Sequence, residues 1–216
     1  MAKSTKKFKV PKTIEVGGIL YEVTYPYIFD DDSPDCLAGS HNWASAVIKI
    51  NEQVNDQKLV EVLIHELVHA IDHVYNQGTL SKNEPMVERL SCALYYLFSR
   101  NKILTSVKIP NKIDINGFIY TVDSNKVFHD SIETYTSSTN IELQKICIID
   151  QIMDGKLLMP LKKVHLINMA LYVICSILQA SEEEMEMLRN ISFSHGIYQV
   201  FRNANIEELA WLSKRS

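Results

Sequence analysis

Residues 9–23 of this chain read KVPKTIEVGGILYEV, and residues 108–122 read KIPNKIDINGFIYTV. Lys9/Lys108, Pro11/Pro110, Ile14/Ile113, Gly18/Gly117, Tyr21/Tyr120 and Val23/Val122 coincide, and Glu15/Asp114 and Val16/Ile115 are conservative pairs. Each stretch predicts a β-hairpin, because β-branched residues flank a GG or NG turn. The echo continues: INEQVNDQKL from Ile50 resembles IIDQIMDGKL from Ile148, and HELVHAID from His65 aligns with HLINMALY from His165. A repeat of this length constrains the fold before any other signal. The chain reads as two homologous halves of roughly 100 residues, an ordinary domain size. The expected organisation is a basic tail over residues 1–8, a first half over 9–105 and a degenerate second copy over 106–216. The expected fold class is α+β. Each half is a small sheet, an N-terminal hairpin plus an edge strand, packed on one long helix and a second helix.

Composition narrows the function classes. With 46% hydrophobic and 22% charged residues, the chain is globular in character. A net charge of −4 gives no general reason to bind nucleic acid or an anionic membrane, so the Lys-rich tail reads as a solvated extension. The longest apolar run, Ala170 to Leu178, is broken by Ser176 and is far below the roughly 18–20 residues of a membrane span. The tail is followed by no apolar stretch, unlike a secretory signal. Cys36, Cys92, Cys147 and Cys175 are widely spaced, which suits reduced thiols and a cytoplasmic setting.

The chemistry lies in HELVH, His65 to His69, within NDQKLVEVLIHELVHAIDHVYNQG. Asn55 is a good helix N-cap and Gly78 a stop signal. At 100° per residue, Leu59, Val60, Leu63, Ile64, Leu67, Ala70, Ile71 and Val74 form one apolar arc. His65 and His69 share the opposite edge, with Glu66 flanking them. Two imidazoles one turn apart can reach a single zinc ion at about 2.0–2.1 Å. The intervening Glu66 is then placed to take a proton from a water on that ion.

A second helix, NEPMVERLSCALYYLFSR, should supply the third ligand. Asn83 caps it, and Pro85 is tolerated in its first turn. Its apolar face is Met86, Val87, Leu90, Ala93, Leu94, Leu97 and Phe98. The opposite stripe is Glu88, Ser91, Cys92 and Tyr95. Glu88 follows His69 by 19 positions, enough for a turn and an antiparallel return, and is the expected third ligand. Glu84 is the rival, and Asp72 and His73 are further alternatives. Asp72 could instead orient a ligand imidazole from behind. An oxyanion partner is left open among Tyr95, Tyr75 and His41.

HELVHAIDHVY followed by VERLSCALYYLF resembles the small phage-encoded zinc metallopeptidases of the gluzincin type, distantly similar to ImmA/IrrE-like and SprT-like peptidases. The resemblance extends over residues 9–101 through the PKTIEVGGILYEV hairpin, the CLAG segment, ASAVIKI and INEQ. It implies a zinc cofactor held by His65, His69 and Glu88, with Glu66 as general base. It also implies a protein or peptide substrate, the ASAVIKI strand forming the edge that pairs with an extended substrate, and, for a phage protein, the bacterial host cytoplasm. The second copy departs from the pattern. It keeps His165 but has Leu166 and Met169 where the first has Glu66 and His69. It reads as a pseudo-enzyme repeat that packs, docks on the first half or a partner protein, or regulates. The acidic run from Ser181 reads as a capped helix start. The competing reading of the whole chain is a non-catalytic interaction protein with a vestigial or structural metal site.

Overall fold

A computed structural model describes residues 9–29, 37–126, 137–149, 151–152, 155–156 and 159–213. The basic tail over 1–8 and Cys36 lie outside the described residues. The first half contains β1 (Thr13–Val16), β2 (Ile19–Tyr27), β3 (Gly39–Asn42), β4 (Val47–Asn51), α1 (Asp56–Asn76) and α2 (Glu84–Arg100). A single 3-10 turn at Leu80–Lys82 joins the two helices. The second half contains β5 (Lys112–Ile115), β6 (Phe118–Lys126), β7 (Ser137–Asn140) and β8 (Lys145–Ile149). A short hairpin, β9 (Gln151–Ile152) with β10 (Gly155–Lys156), precedes α3 (Met159–Ile177), α4 (Glu182–Arg189), α5 (Ile191–Asn203) and α6 (Ile206–Ser213).

The fold is α+β, and the duplication is visible in hydrogen-bond detail. The sheets have orders β1-β2-β4-β3 and β5-β6-β8-β7, each with one parallel pair between two antiparallel ones. Both hairpins turn through two residues of positive φ, Gly17–Gly18 and Asn116–Gly117, as a type I′ turn demands. The irregularity between Thr24 and Tyr27 in β2 recurs between Asp123 and Lys126 in β6. The β3–β4 turn is held by Ser45 N donating to Asn42 Oδ1 (3.0 Å), and the β7–β8 turn by Leu143 N donating to Asn140 Oδ1 (2.8 Å). Ala46 and Gln144 close these turns, both with positive φ.

One expectation is corrected. The ASAVIKI run is not an edge: its strand, β4, is flanked by β2 and β3, so both of its backbone rows are used inside the sheet. The edge is β3. Asn51 N donates to Ala38 O (2.9 Å), so antiparallel alternation turns the backbone N–H and C=O of Gly39 and His41 outward.

Both long helices follow their apolar periodicity. Leu59, Val60, Leu63, Ile64, Leu67, Ala70 and Ile71 of α1 are buried, as is the whole Met86–Phe98 apolar face of α2. Lys58 N donates to Asn55 Oδ1 (3.0 Å) and Met86 N to Asn83 Oδ1 (3.3 Å), so both expected caps form. Ser181 and Glu184 make a reciprocal capping box at the start of α4.

One helix of each half crosses to the other sheet. α1 packs on the first sheet and α3 on the second, but α2 lies against β5 and α5 against β1. Asn101, at the end of α2, donates to the carbonyl of Asp114 (2.8 Å) and accepts from its N–H (2.8 Å). Phe98 of α2 meets Phe201 of α5 edge to face, with ring centroids 5.2 Å apart. α5 crosses α1 at Gly196, where a Cβ would stand 2.6 Å from Tyr75 and 2.9 Å from Ile71. α6 packs on both α1 and α2. The segment joining the halves is tied down as well: Glu207 accepts from Leu104 N and Thr105 N, each at 2.8 Å, and Lys163 Nζ donates to Leu104 O (2.7 Å). The buried residues of both halves therefore form one continuous core.

Candidate metal centre

α1 and α2 run antiparallel, so residues early in α2 face residues late in α1. His65 and His69 lie one turn apart on α1, with their Nε2 atoms 3.2 Å from each other. Glu84, in the first turn of α2, closes the group: Oε1 is 2.8 Å from His65 Nε2 and Oε2 is 3.2 Å from His69 Nε2. Among the described residues these three form the one group arranged to hold a metal ion.

Glu88, the expected third ligand, is one turn too far along α2. It lines the same cleft but stands with Glu61 and Cys92, whose Sγ–H donates to Glu61 Oε1 at 2.9 Å. Both Glu84 and Glu88 face α1. The axial offset of the two helices decides between them, and it brings the rival, Glu84, to the imidazoles.

The hydrogen bonds behind His69 fix its proton. Ser81 Oγ donates to Asp72 Oδ2 (2.7 Å), so its oxygen can only accept from His69 Nδ1 (3.0 Å). With Nδ1 protonated, the lone pair on Nε2 points at His65 and Glu84. That nitrogen, the second imidazole nitrogen and a carboxylate oxygen face a common point, an arrangement that could hold a cation. Neighbouring ligands in a tetrahedron of 2.0–2.1 Å radius lie roughly 3.3–3.4 Å apart. The two imidazole nitrogens, 3.2 Å apart, are close to such an edge, while Glu84 brings one oxygen to each of them at 2.8 and 3.2 Å, and nitrogen and carboxylate donors are of the kind zinc accepts.

Asp72 does more than orient Ser81. It is fully buried and also accepts from Ser81 N (2.7 Å) and Leu80 N (3.3 Å). It thereby clamps the turn that leads into α2. Ser81 carried no motif signal; only the folded loop brings it to His69.

Glu66 points into a cleft of about 740 Å³ between β3 and the two helices. It is only 5% exposed. Burial, reinforced by the charge of Glu84, pushes its carboxyl up to about 8. β3 passes directly over it: a Cβ on Gly39 would meet Glu66 Oε1 at 2.5 Å and Val62 Cγ1 at 2.8 Å.

Of the three oxyanion candidates, His41 is the one at the centre. Its ring lies parallel to that of His69, with centroids 6.1 Å apart, and also approaches His73 and Tyr21. Burial, with His73 and His69 nearby, holds it down at about 4, so it is neutral at pH 7. Tyr75 packs at the α1–α5 crossing, and Tyr95 is half-buried against the core.

In the second half α3 carries His165, held below its ordinary value by burial, with Leu166 fully buried beside it. No family model, curated protein or solved structure matches the chain. The resemblance to gluzincin peptidases therefore rests on the motif residues themselves.

Proposed function

We propose that this chain is a zinc-dependent peptidase whose centre is His65, His69 and Glu84, with Glu66 as general base. The observation that carries the reading is the convergence of three ligand atoms beside a buried, proton-hungry carboxylate in an open cleft. Three protein ligands leave a fourth position for water, the arrangement of catalytic zinc sites. A zinc ion held by these residues would supply Lewis acidity, for a carbonyl and for a water near neutral pH.

The chain's own residues do the rest. Glu66, raised in the metal-free state, is brought back toward its ionised form by a cation beside it. As a carboxylate it accepts the proton of the attacking water, and it then passes that proton to the departing amine. Asp72 and Ser81 keep His69 in the tautomer that offers Nε2. The outward backbone groups of Gly39 and His41 offer an extended peptide main-chain hydrogen bonds along the cleft, binding that tolerates many sequences.

Glu66→Gln is the test. The variant should bind zinc as the parent does, about one ion per chain by elemental analysis, and lose at least about 10²-fold in hydrolysis of a casein or peptide-library substrate. A variant as active as the parent would sink the proposal. The second reading, an interaction protein with a vestigial site, is favoured by the second half, which keeps the fold with Leu166 and Met169 in place of the motif. It predicts zinc binding with no hydrolysis of any substrate by the parent.

A further inference from the structure

Glu84 is 62% exposed, and it pairs with the two imidazoles. Its reach therefore depends on where the backbone at the start of α2 is held. That point is Asn83. Its main-chain N–H donates to Leu80 O (2.9 Å), and its Oδ1 caps Met86 N. Its remaining donor, Nδ2, reaches across to the second half and meets Glu184 Oε1 of α4 at 2.6 Å. Glu184 is itself held in place, because Oε2 accepts from Ser181 N (2.7 Å) in the capping box. The turn between the ligand helices is thus gripped at one end by Asp72 of α1 and at the other by Glu184 of α4.

We propose that Glu184 of the second half is a positioning residue for the metal centre, setting the place of Glu84 through Asn83. The degenerate copy then contributes to the chemistry without carrying a ligand. This inference rests on the zinc reading of His65, His69 and Glu84. It gives the α4 capping box a purpose beyond local helix stability.

The experiment uses the full chain and measures zinc affinity by chelator competition, with the visible spectrum of the cobalt-loaded protein as a second readout. Three single variants and one double variant are compared. Glu184→Gln keeps the size of the side chain but removes one acceptor. Asn83→Ser keeps a good N-cap but loses the amide donor. Glu183→Gln removes the same charge from the exposed neighbour in the same helix turn, so it controls for long-range electrostatics.

The expected result is that E184Q and N83S each weaken zinc binding by about tenfold, the lower end for supporting hydrogen bonds around a metal. Both should shift the cobalt bands, whereas E183Q stays within about twofold of the parent. N83S/E184Q should be no worse than either single variant, because both remove the same link. Equal effects of E184Q and E183Q would reduce the role to charge and overturn the proposal. So would parent-like affinity and spectra in E184Q and N83S. A parent that binds no zinc overturns the metal reading and this inference with it. A parent that binds zinc but hydrolyses nothing overturns the peptidase reading alone.

Discussion

Glu66 shows how much one position depends on its neighbours. Its carboxylate is buried under a strand, and the strand comes that close because residue 39 has no side chain. Gly39→Ala places a methyl group where Glu66 Oε1 and Val62 now lie. Glu66 is the more mobile of the two and should swing away from the cleft. The expected outcome is a stability loss of about 1–3 kcal/mol, retained zinc, and a fall in hydrolysis comparable to that of E66Q. A melting curve, a zinc titration and a peptide assay would separate the three effects. Ser81 gives the complementary case. Ser81→Ala leaves His69 Nδ1 without its acceptor, so zinc binding should weaken by about tenfold with the fold intact. Chelator competition reads this directly, and an unchanged affinity would mean that the Asp72–Ser81–His69 chain is incidental.

The elements themselves were largely legible in the sequence, because both helices and both hairpins announce themselves by periodicity and by caps. Asn55, Asn83 and Ser181 all cap as their residue types suggest. Relations between elements were less legible. Glu84 and Glu88 share a face one turn apart, and spacing along the chain cannot say which meets His65. That depends on how far α2 is slid along α1, which the Asp72 clamp and the Asn83 cap decide in three dimensions. The order of strands was hidden for a similar reason. β4 carries the alternating apolar residues expected of a strand, but the Gly-Ser-His-Asn stretch that becomes the outer strand β3 has little strand character. His41 came within reach of the site only through that placement.

At the scale of the molecule, the crossing of α2 and α5 ties two sheets into one core, a relation no repeat in the sequence could reveal. The fragment 1–105 keeps the metal residues but loses α5 and α6 from α1, and β5 and α6 from α2. It should show no cooperative thermal transition by circular dichroism, whereas the full chain melts in one step. A fragment that melts cooperatively would show that the halves fold separately. Acid sensitivity is also a whole-chain property. His165 is held below its usual value by burial, so the unfolded chain takes up its proton more readily than the folded one. The stability it contributes is present above about pH 6.5, the ordinary histidine value, and is lost as pH falls from there through its folded value. His165→Gln should flatten the decline in melting temperature over that interval, measured without metal.

The exchange of helices between the sheets resembles a swapped dimer joined end to end. In such an arrangement a copy can shed its reactive side chains yet not be deleted, because its partner's walls are built from it. Substitution should accordingly be tolerated at His165 and Met169, and resisted at Gly196 and Phe201, where the second half touches the first.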